Sequence, residues 1–240
     1  IVLGKYLALV TVLAIPTVLI GLTPPVLMRA GAFQTGISYA SLVGFFLYGC
    51  LGLAIGLFLS SLTESVVIAA VLTLIVLFSG YIMAGLCSMI SSAGTGVFAE
   101  SLSKVLYCFD MIGRFDALSN GYFQVESMAY FVTLTVFVLF CTTQSIQKRR
   151  YSVSGKGIRL GTYSVMGIVA AAVVTILINL GLNYVPDRYT AFDVTANKLY
   201  TLTEDTKEMI GSLQEDVTIY VLADEAAKDE DLDKTLQQLK

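Results

Sequence analysis

Five long apolar runs, separated by short polar segments, dominate the first three quarters of the chain. Each is close to the length that crosses a bilayer as a helix, about 20 residues. The first run ends where Pro24 and Pro25 follow Thr23, because proline cannot continue a helix. The pattern predicts transmembrane helices over residues 6–22, 39–59, 66–86, 129–143 and 163–184, with the fourth starting as early as Glu126. Tyrosines at span ends, where a ring with a polar tip favours the membrane interface, support these bounds: Tyr6, Tyr39, Tyr163 and Tyr184.

The pattern changes between the third and fourth runs, in residues 87–126. Apolar residues recur at helical spacing over residues 98–109, with charged residues on another face. This predicts an amphipathic helix, either lying in the membrane interface or packed on the membrane domain. Cys87 and Cys108 fall in the same segment, so a disulfide between them is one of the alternatives.

After the fifth run the chain becomes polar and acidic. Thr203 begins a short helical pattern as its N-cap, residues 217–221 alternate as in a strand, and leucines of residues 232–239 form the stripe of a second helix. Since one strand cannot make a stable sheet, residues 185–240 are predicted to be the start of a larger α/β domain. The fold class is therefore an α-helical polytopic membrane protein with about five spans, followed by the start of an extracytoplasmic α/β domain.

The orientation is predicted by a basic block between the last two runs. Five cations lie in this short segment, which marks it as cytoplasmic because cationic loops resist translocation. They are Lys148, Arg149, Arg150, Lys156 and Arg159. Counting spans from this block places residues 60–65 on the cytoplasmic side, and the loop around Arg29 and the tail of residues 185–240 on the outer side.

Composition agrees with a membrane protein. Of the 240 residues, 56% are hydrophobic and 14% charged, against about 25% charged in soluble domains. The charges are divided: the chain from Asp187 onward has 13 acidic and 6 basic residues, and the part before it has 5 acidic and 9 basic residues. A lipid bilayer is the expected partner and nucleic acid is not. The chain begins inside an apolar run and ends in a helical pattern, which predicts a fragment of a longer protein.

The candidate chemistry is sparse. The five runs carry no Asp, Glu, Lys or Arg between their ends, which argues against an ion-coupled mechanism. Gly155-Lys156-Gly157 lacks the upstream glycine and following Ser or Thr of a phosphate loop. The chain has no His and no arrangement typical of a catalytic site or metal centre. The prediction is a non-enzymatic protein without cofactor or metal.

Weakly polar and small residues remain inside the runs. The polar side chains are expected to bond to their own helix or to a neighbouring one; they are Thr73, Ser79, Thr175 and Asn179. Three glycines recur on one face of the second run and predict a close helix approach; they are Gly49, Gly52 and Gly56.

Several stretches resemble the permease of type-2 ABC exporters. They are Ile1-Val2-Leu3-Gly4-Lys5, the glycine-rich span and SSLTE turn of residues 48–65, Arg114-Phe115-Asp116-Ala117-Leu118-Ser119-Asn120-Gly121, Tyr130-Phe131 and Lys148-Arg149-Arg150. The resemblance covers residues 1–150 and corresponds to the C-terminal four spans of that permease. Residues 151–162 then form a cytoplasmic basic linker.

The rest of the chain resembles a different protein. Asp193-Val194-Thr195-Ala196-Asn197-Lys198-Leu199-Tyr200-Thr201-Leu202-Thr203, followed by Val217-Thr218-Ile219-Tyr220, is similar to the opening of the gliding-motility-type (Gld-like) ABC auxiliary subunit. Residues 163–184 would be its single transmembrane helix and residues 185–240 the start of its extracytoplasmic domain. Together the two resemblances imply a fusion of permease and auxiliary subunit.

The resemblance implies a multi-pass protein of the bacterial plasma membrane that pairs with a second permease half. ATP hydrolysis would take place on a separate cytoplasmic ABC ATPase chain. The residues expected to face that ATPase are Ser61, Thr63, Glu64, Lys148, Arg149 and Arg150. The alternative is structural: residues 61–64 resemble a capping box for the next helix, and the cations serve topology alone.

Two other functions stay open from the residues alone. The spans could anchor an outer binding domain as a scaffold, without transport activity. An ion-coupled carrier would need charged residues in spans outside this sequence. No charge pattern in the spans selects a substrate.

Overall fold

The computed structural model describes residues 1–29, 34–93, 110–148, 155–183 and 191–193, together with residue 208. This part of the chain is almost entirely helical. Its elements are α1 (Val2–Gly21), α2 (Thr23–Met28), α3 (Thr35–Leu62), α4 (Val66–Ala93), α5 (Met111–Ser119), β1 (Tyr122–Gln124), α6 (Val125–Lys148), α7 (Gly155–Asn183) and β2 (Ala191–Asp193).

Five helical stretches are long and apolar enough to cross a membrane, which confirms the predicted number of spans. They are Val2–Met28, Thr35–Leu62, Val66–Met83, Val125–Gln147 and Ser164–Leu182. The fourth is longer than residues 129–143 and begins with the first turn around Glu126, at the early limit of the prediction. The described chain thus has the helices of a multi-pass membrane protein.

The first helix ends before the proline pair, as predicted, because α1 ends at Gly21. A new short helix, α2, then begins at Thr23, with Pro24 in its first turn. Proline is tolerated there because the first backbone N–H groups of a helix have no intrahelical acceptor in any case. Pro16 even lies inside α1 without ending it.

Helix α3 is the centre of the bundle and packs against α1, α4, α5 and α6. The main core joins three of these helices, because Leu51 and Ile55 of α3 meet residues of α5 and α6. Those partners are Met111, Leu118, Tyr130 and Phe131. Helix α7 packs on α6, at the side of the bundle.

The three glycines predicted to share one face of α3 contact two neighbouring helices, α1 and α4. A side-chain carbon placed at Gly49 would lie 2.7 Å from Cδ2 of Leu13, so this position brings α1 close to α3. Gly52 and Gly56 instead face α4, where a carbon would have ordinary contact distances. The predicted close approach is confirmed at Gly49.

Two short strands, one directly before α6 and one after α7, pair with each other. Strand β1 pairs antiparallel with β2, with Tyr122 opposite Asp193, Phe123 opposite Phe192 and Gln124 opposite Ala191. Gly121, with a φ of 84°, makes the turn from α5 into β1, a conformation that glycine adopts without strain.

Some predicted features lie outside the described residues. These are the amphipathic helix of residues 98–109, Cys108, the side chain of Cys87, and residues 194–240 apart from Glu208. The extracytoplasmic α/β domain therefore stays a prediction.

Candidate functional site

Three helix ends meet at one end of the bundle, where α1 begins and α3 and α6 end; we call this the Lys5 end. They enclose a groove of about 250 Å³. Its lining residues are Ile1, Val2, Lys5, Leu57, Ser60, Ser61, Thr142 and Ile146. A second groove of about 290 Å³ shares Ile1, Val2 and Ile146 and extends toward Gln147. The Lys5 end thus offers a concave, mostly apolar surface with a few polar groups.

Ser61 and Thr63 belong to the end of α3. The Ser61 hydroxyl donates to the carbonyl of Phe58 (2.6 Å), and the Thr63 hydroxyl donates to the carbonyl of Leu59 (3.2 Å). Both carbonyls lie about one turn back along α3, and the carbonyl of Leu59 also accepts the backbone N–H of Thr63 (3.2 Å). Ser61 also lines the groove, so part of its surface is accessible from the Lys5 end.

The capping-box interpretation of residues 61–64 is wrong in detail. Ser61 is still inside α3, whereas the first backbone bond of α4 runs from the N–H of Ala69 to the carbonyl of Ser65 (3.1 Å). Ser65 therefore occupies the N-cap position of α4. Glu64 lies between the two helices with an exposed side chain. Its carboxylate is accessible at the turn.

The basic block begins at the same end of the bundle. Lys148 is the last residue of α6, and the neighbouring Ile146 and Gln147 line the grooves. The side chain of Lys148 and all of Arg149 and Arg150 lie outside the described residues. The structure therefore brings Ser61 together with the end of α6 and leaves the positions of the block's charged groups as a prediction.

Tyr6, near the start of α1, packs into the bundle. It is buried, and its hydroxyl donates to the carbonyl of Cys50 on α3 (3.2 Å). Ala54 and Leu139 complete a small cluster around it. The start of α1 is thereby held against α3 and α6. Tyr39 is exposed, and its hydroxyl donates to the carbonyl of Gly21 (3.3 Å); the interfacial position of both tyrosines stays a prediction.

A group of charged residues at the other end of the bundle was not predicted as a site. Arg114 of α5 donates from Nη1 to Oε1 of Glu126 (2.8 Å), and its guanidinium carbon lies 4.5 Å from the ring centroid of Tyr130. Asp110 is buried and accepts from the N–H of Gly113 as the N-cap of α5. Partial desolvation and, secondarily, the Asp110 charge raise the pKa of Asp116, although its side chain is exposed.

This second group fastens α5 to α6 at what we call the α5 end. Opposite charges twelve residues apart gave no periodic signal, so the pairing of Arg114 with Glu126 was invisible in the sequence. Because Arg114 and Glu126 are paired and Asp110 caps α5, the arrangement is typical of structural stabilisation.

Comparison of the chain with known proteins gave no match among protein-family models, curated proteins or solved structures.

Proposed function

We propose that the chain is part of the membrane subunit of an ATP-driven ABC transporter, an exporter of the bacterial plasma membrane, fused to an extracytoplasmic auxiliary domain. The observation that carries the proposal is the groove at the Lys5 end. There the ends of α3 and α6 and the start of α1 are exposed together beside Ser61 and Glu64. A partner bound at this end would contact three membrane helices at once, so its movement would act on the whole bundle.

The energy source in this proposal is a separate ATPase chain. The five apolar runs carry no ionisable residue between their ends, and such residues usually carry the protons or ions of coupled transporters. The basic block of residues 148–159 supports a cytoplasmic Lys5 end, since α6 ends at Lys148. A second membrane half would complete the path, and the tail of residues 185–240 would begin the auxiliary domain outside.

The proposal is tested by purifying the full-length parent protein from its native membrane in a mild detergent. We expect a stoichiometric ATPase to co-purify and its hydrolysis rate to rise in the presence of the membrane subunit. Glu64→Lys reverses the exposed charge at the turn and is expected to reduce the ATPase recovered severalfold. Gln34→Lys, an exposed position at the opposite end of α3, is the matched control and is expected to leave recovery unchanged.

The alternative is a membrane scaffold that presents an outer binding domain. The pairing of β1 with β2 favours this alternative, because it holds the beginning of the tail against the membrane helices. A pure, intact preparation without ATPase, in a detergent that preserves another ABC complex of the same membrane, would contradict the transporter proposal and support the scaffold.

A further inference from the structure

Helix α7 lies at the side of the bundle and contacts it with one face of the helix. None of the most apolar stretch of α7 is buried, and large side chains such as Met166 and Leu177 are exposed. Such faces suit contact with lipid. Its described packing partner is α6, so the contacts between these two helices decide how α7 is held.

Polar contacts join α7 to α6 at two levels. Near the Lys5 end, the Ser164 hydroxyl donates to Oε1 of Gln144 (2.7 Å). Toward the α5 end, Nδ2 of Asn179 donates to Oγ1 of Thr133 (3.0 Å) and also to the carbonyl of Thr175. The two levels are about 22 Å apart along α7 at 1.5 Å per residue. Two such contacts on one face define both the rotation and the sliding position of α7.

Between these levels the helices come close without polar groups. Gly167 faces the ring of Phe140, at 3.7 Å from the position that a side-chain carbon would occupy. In lipid, where apolar burial gives little driving force between helices, close packing and interhelical hydrogen bonds supply the specificity. The buried Oδ1 of Asn179 has no hydrogen-bond partner among the described residues.

The same pair is joined again beyond the helix ends. Strand β1 leads directly into α6, and β2 follows α7 by a short segment. Their register places Phe123 opposite Phe192. The backbone pairing of β1 with β2 does not depend on the side-chain contacts between α6 and α7. It adds a third attachment, at the α5 end. Since Gly121 connects α5 to β1 and Tyr122 lies opposite Asp193, β2 ends near the end of α5.

We propose that β1 and the Thr133–Gln144 side of α6 form a docking surface, the α6–β1 surface, which binds α7 and β2 without needing the covalent connection through residues 149–154. Helix α7 with β2 is thus a separable subunit module that recognises the membrane domain by hydrogen bonds and strand addition. The inference concerns assembly, so it holds whether or not an ATPase binds at the Lys5 end.

The test uses the full chain and cuts it after assembly. A protease site is inserted between Tyr151 and Ser152, the protein is purified in mild detergent through a tag on the N-terminal part, and the chain is then cleaved. We expect the C-terminal piece to stay bound. Loss of the piece from the cleaved wild-type sequence, with both pieces still soluble in detergent and unaggregated, would overturn the proposal.

Variants show whether the named contacts are responsible. Ser164→Ala with Asn179→Leu removes both interhelical hydrogen bonds and is expected to weaken retention about tenfold. The matched control is Thr175→Val, whose lost hydroxyl donates within α7 to the carbonyl of Ala171; it should retain the piece like wild type. Equal retention of the double variant and wild type would contradict the role of these bonds.

A cross-link in uncut protein keeps the proposal testable if cleavage destabilises the fold. In a background without the four native cysteines, Phe123→Cys with Phe192→Cys should form a disulfide on mild oxidation, since directly opposite residues have Cβ atoms about 5 Å apart. Phe123→Cys with Asp193→Cys is out of register by one residue and should cross-link several times more slowly. Equal rates for the two pairs would show that β2 is not docked as proposed.

Discussion

Helices α3 and α7 differ little in sequence character and greatly in position. They have 28 and 29 residues and both pass as apolar membrane spans. Yet 22% of the most apolar stretch of α3 is buried within the protein, whereas 0% of that of α7 is buried. Apolar length therefore makes a helix a membrane span without deciding how much of it contacts protein.

The difference lies in what attaches each helix. Helix α3 presents fully buried apolar residues such as Leu51 and Ala54, and a close approach at Gly49. Helix α7 relies on the hydrogen bonds of Ser164 and Asn179 to one neighbour. In a membrane both strategies work, because lipid competes poorly with shape-matched packing and cannot offer hydrogen bonds.

The largest effect that separates the two helices is expected from truncating a leucine in each. Leu51→Ala in α3 should lower the free energy of unfolding by about 2–4 kcal/mol, because a fully buried side chain leaves a cavity between helices. Leu177→Ala in α7 is the control; that side chain is 61% exposed, and lipid can fill the space. Denaturant unfolding in detergent micelles measures both. Equal losses for the two variants would show that the burial difference has no energetic meaning.

A smaller effect tests whether polar attachment also holds α5. Arg114→Ala removes the ion pair with Glu126 and the contact with the ring of Tyr130, where the paired side chains are 16% and 24% exposed. We expect a loss of about 1–3 kcal/mol, typical of hydrogen bonds to partly buried charged groups.

Arg29→Ala is the matched control for Arg114, since Arg29 is exposed after α2. It should change the unfolding free energy by less than about 0.5 kcal/mol. A double-mutant cycle with Glu126→Gln then isolates the pair, and a coupling energy near zero would mean that α5 is held by its apolar residues alone.

The smallest effect concerns two glycines with opposite surroundings. Gly49→Ala in α3 forces the side chain of Leu13 to move and is expected to be destabilising by about 0.5–1 kcal/mol. Gly181→Ala in α7 meets nothing within 4 Å and should be neutral or stabilising by up to about 1 kcal/mol, through helix propensity. Thermal unfolding of the two variants in parallel gives the signs. A stabilised Gly49→Ala would remove the evidence for close packing of α1 on α3.

Much of the fold could be predicted from the sequence, because each membrane span is one contiguous stretch of apolar residues. The five runs were found, and polar residues inside them do bond locally, as with Thr73 to the carbonyl of Ala69 and Thr175 to that of Ala171. Asn179 finds its neighbour Thr133, which was one of the two expected outcomes. The short helix α5 was missed, although Met111, Phe115 and Leu118 recur at the i, i+4 and i+7 spacing of a helix and pack in the main core.

The candidate site was only partly predictable. Ser61, Thr63 and Glu64 were identified from a resemblance, but the capping role assigned to residues 61–64 was wrong because α3 continues to Leu62. The turn between two helices depends on where the first helix stops, and a difference of one or two residues changes which hydroxyl caps which helix. The contribution of Lys5 and the end of α6 to the same groove required knowledge of how distant helices pack.

The amino-acid pattern was enough to define the spans and their order, because a helix of about 20 apolar residues is stable in a bilayer whatever surrounds it. The three-dimensional packing assigned α3 to the centre and α7 to the side, buried Tyr6, and paired β1 with β2. The physical reason is that lipid and protein interior are equally apolar. The hydrophobic pattern of a span therefore does not mark the face that meets another helix, and a few glycines and polar groups select it when the helices pack.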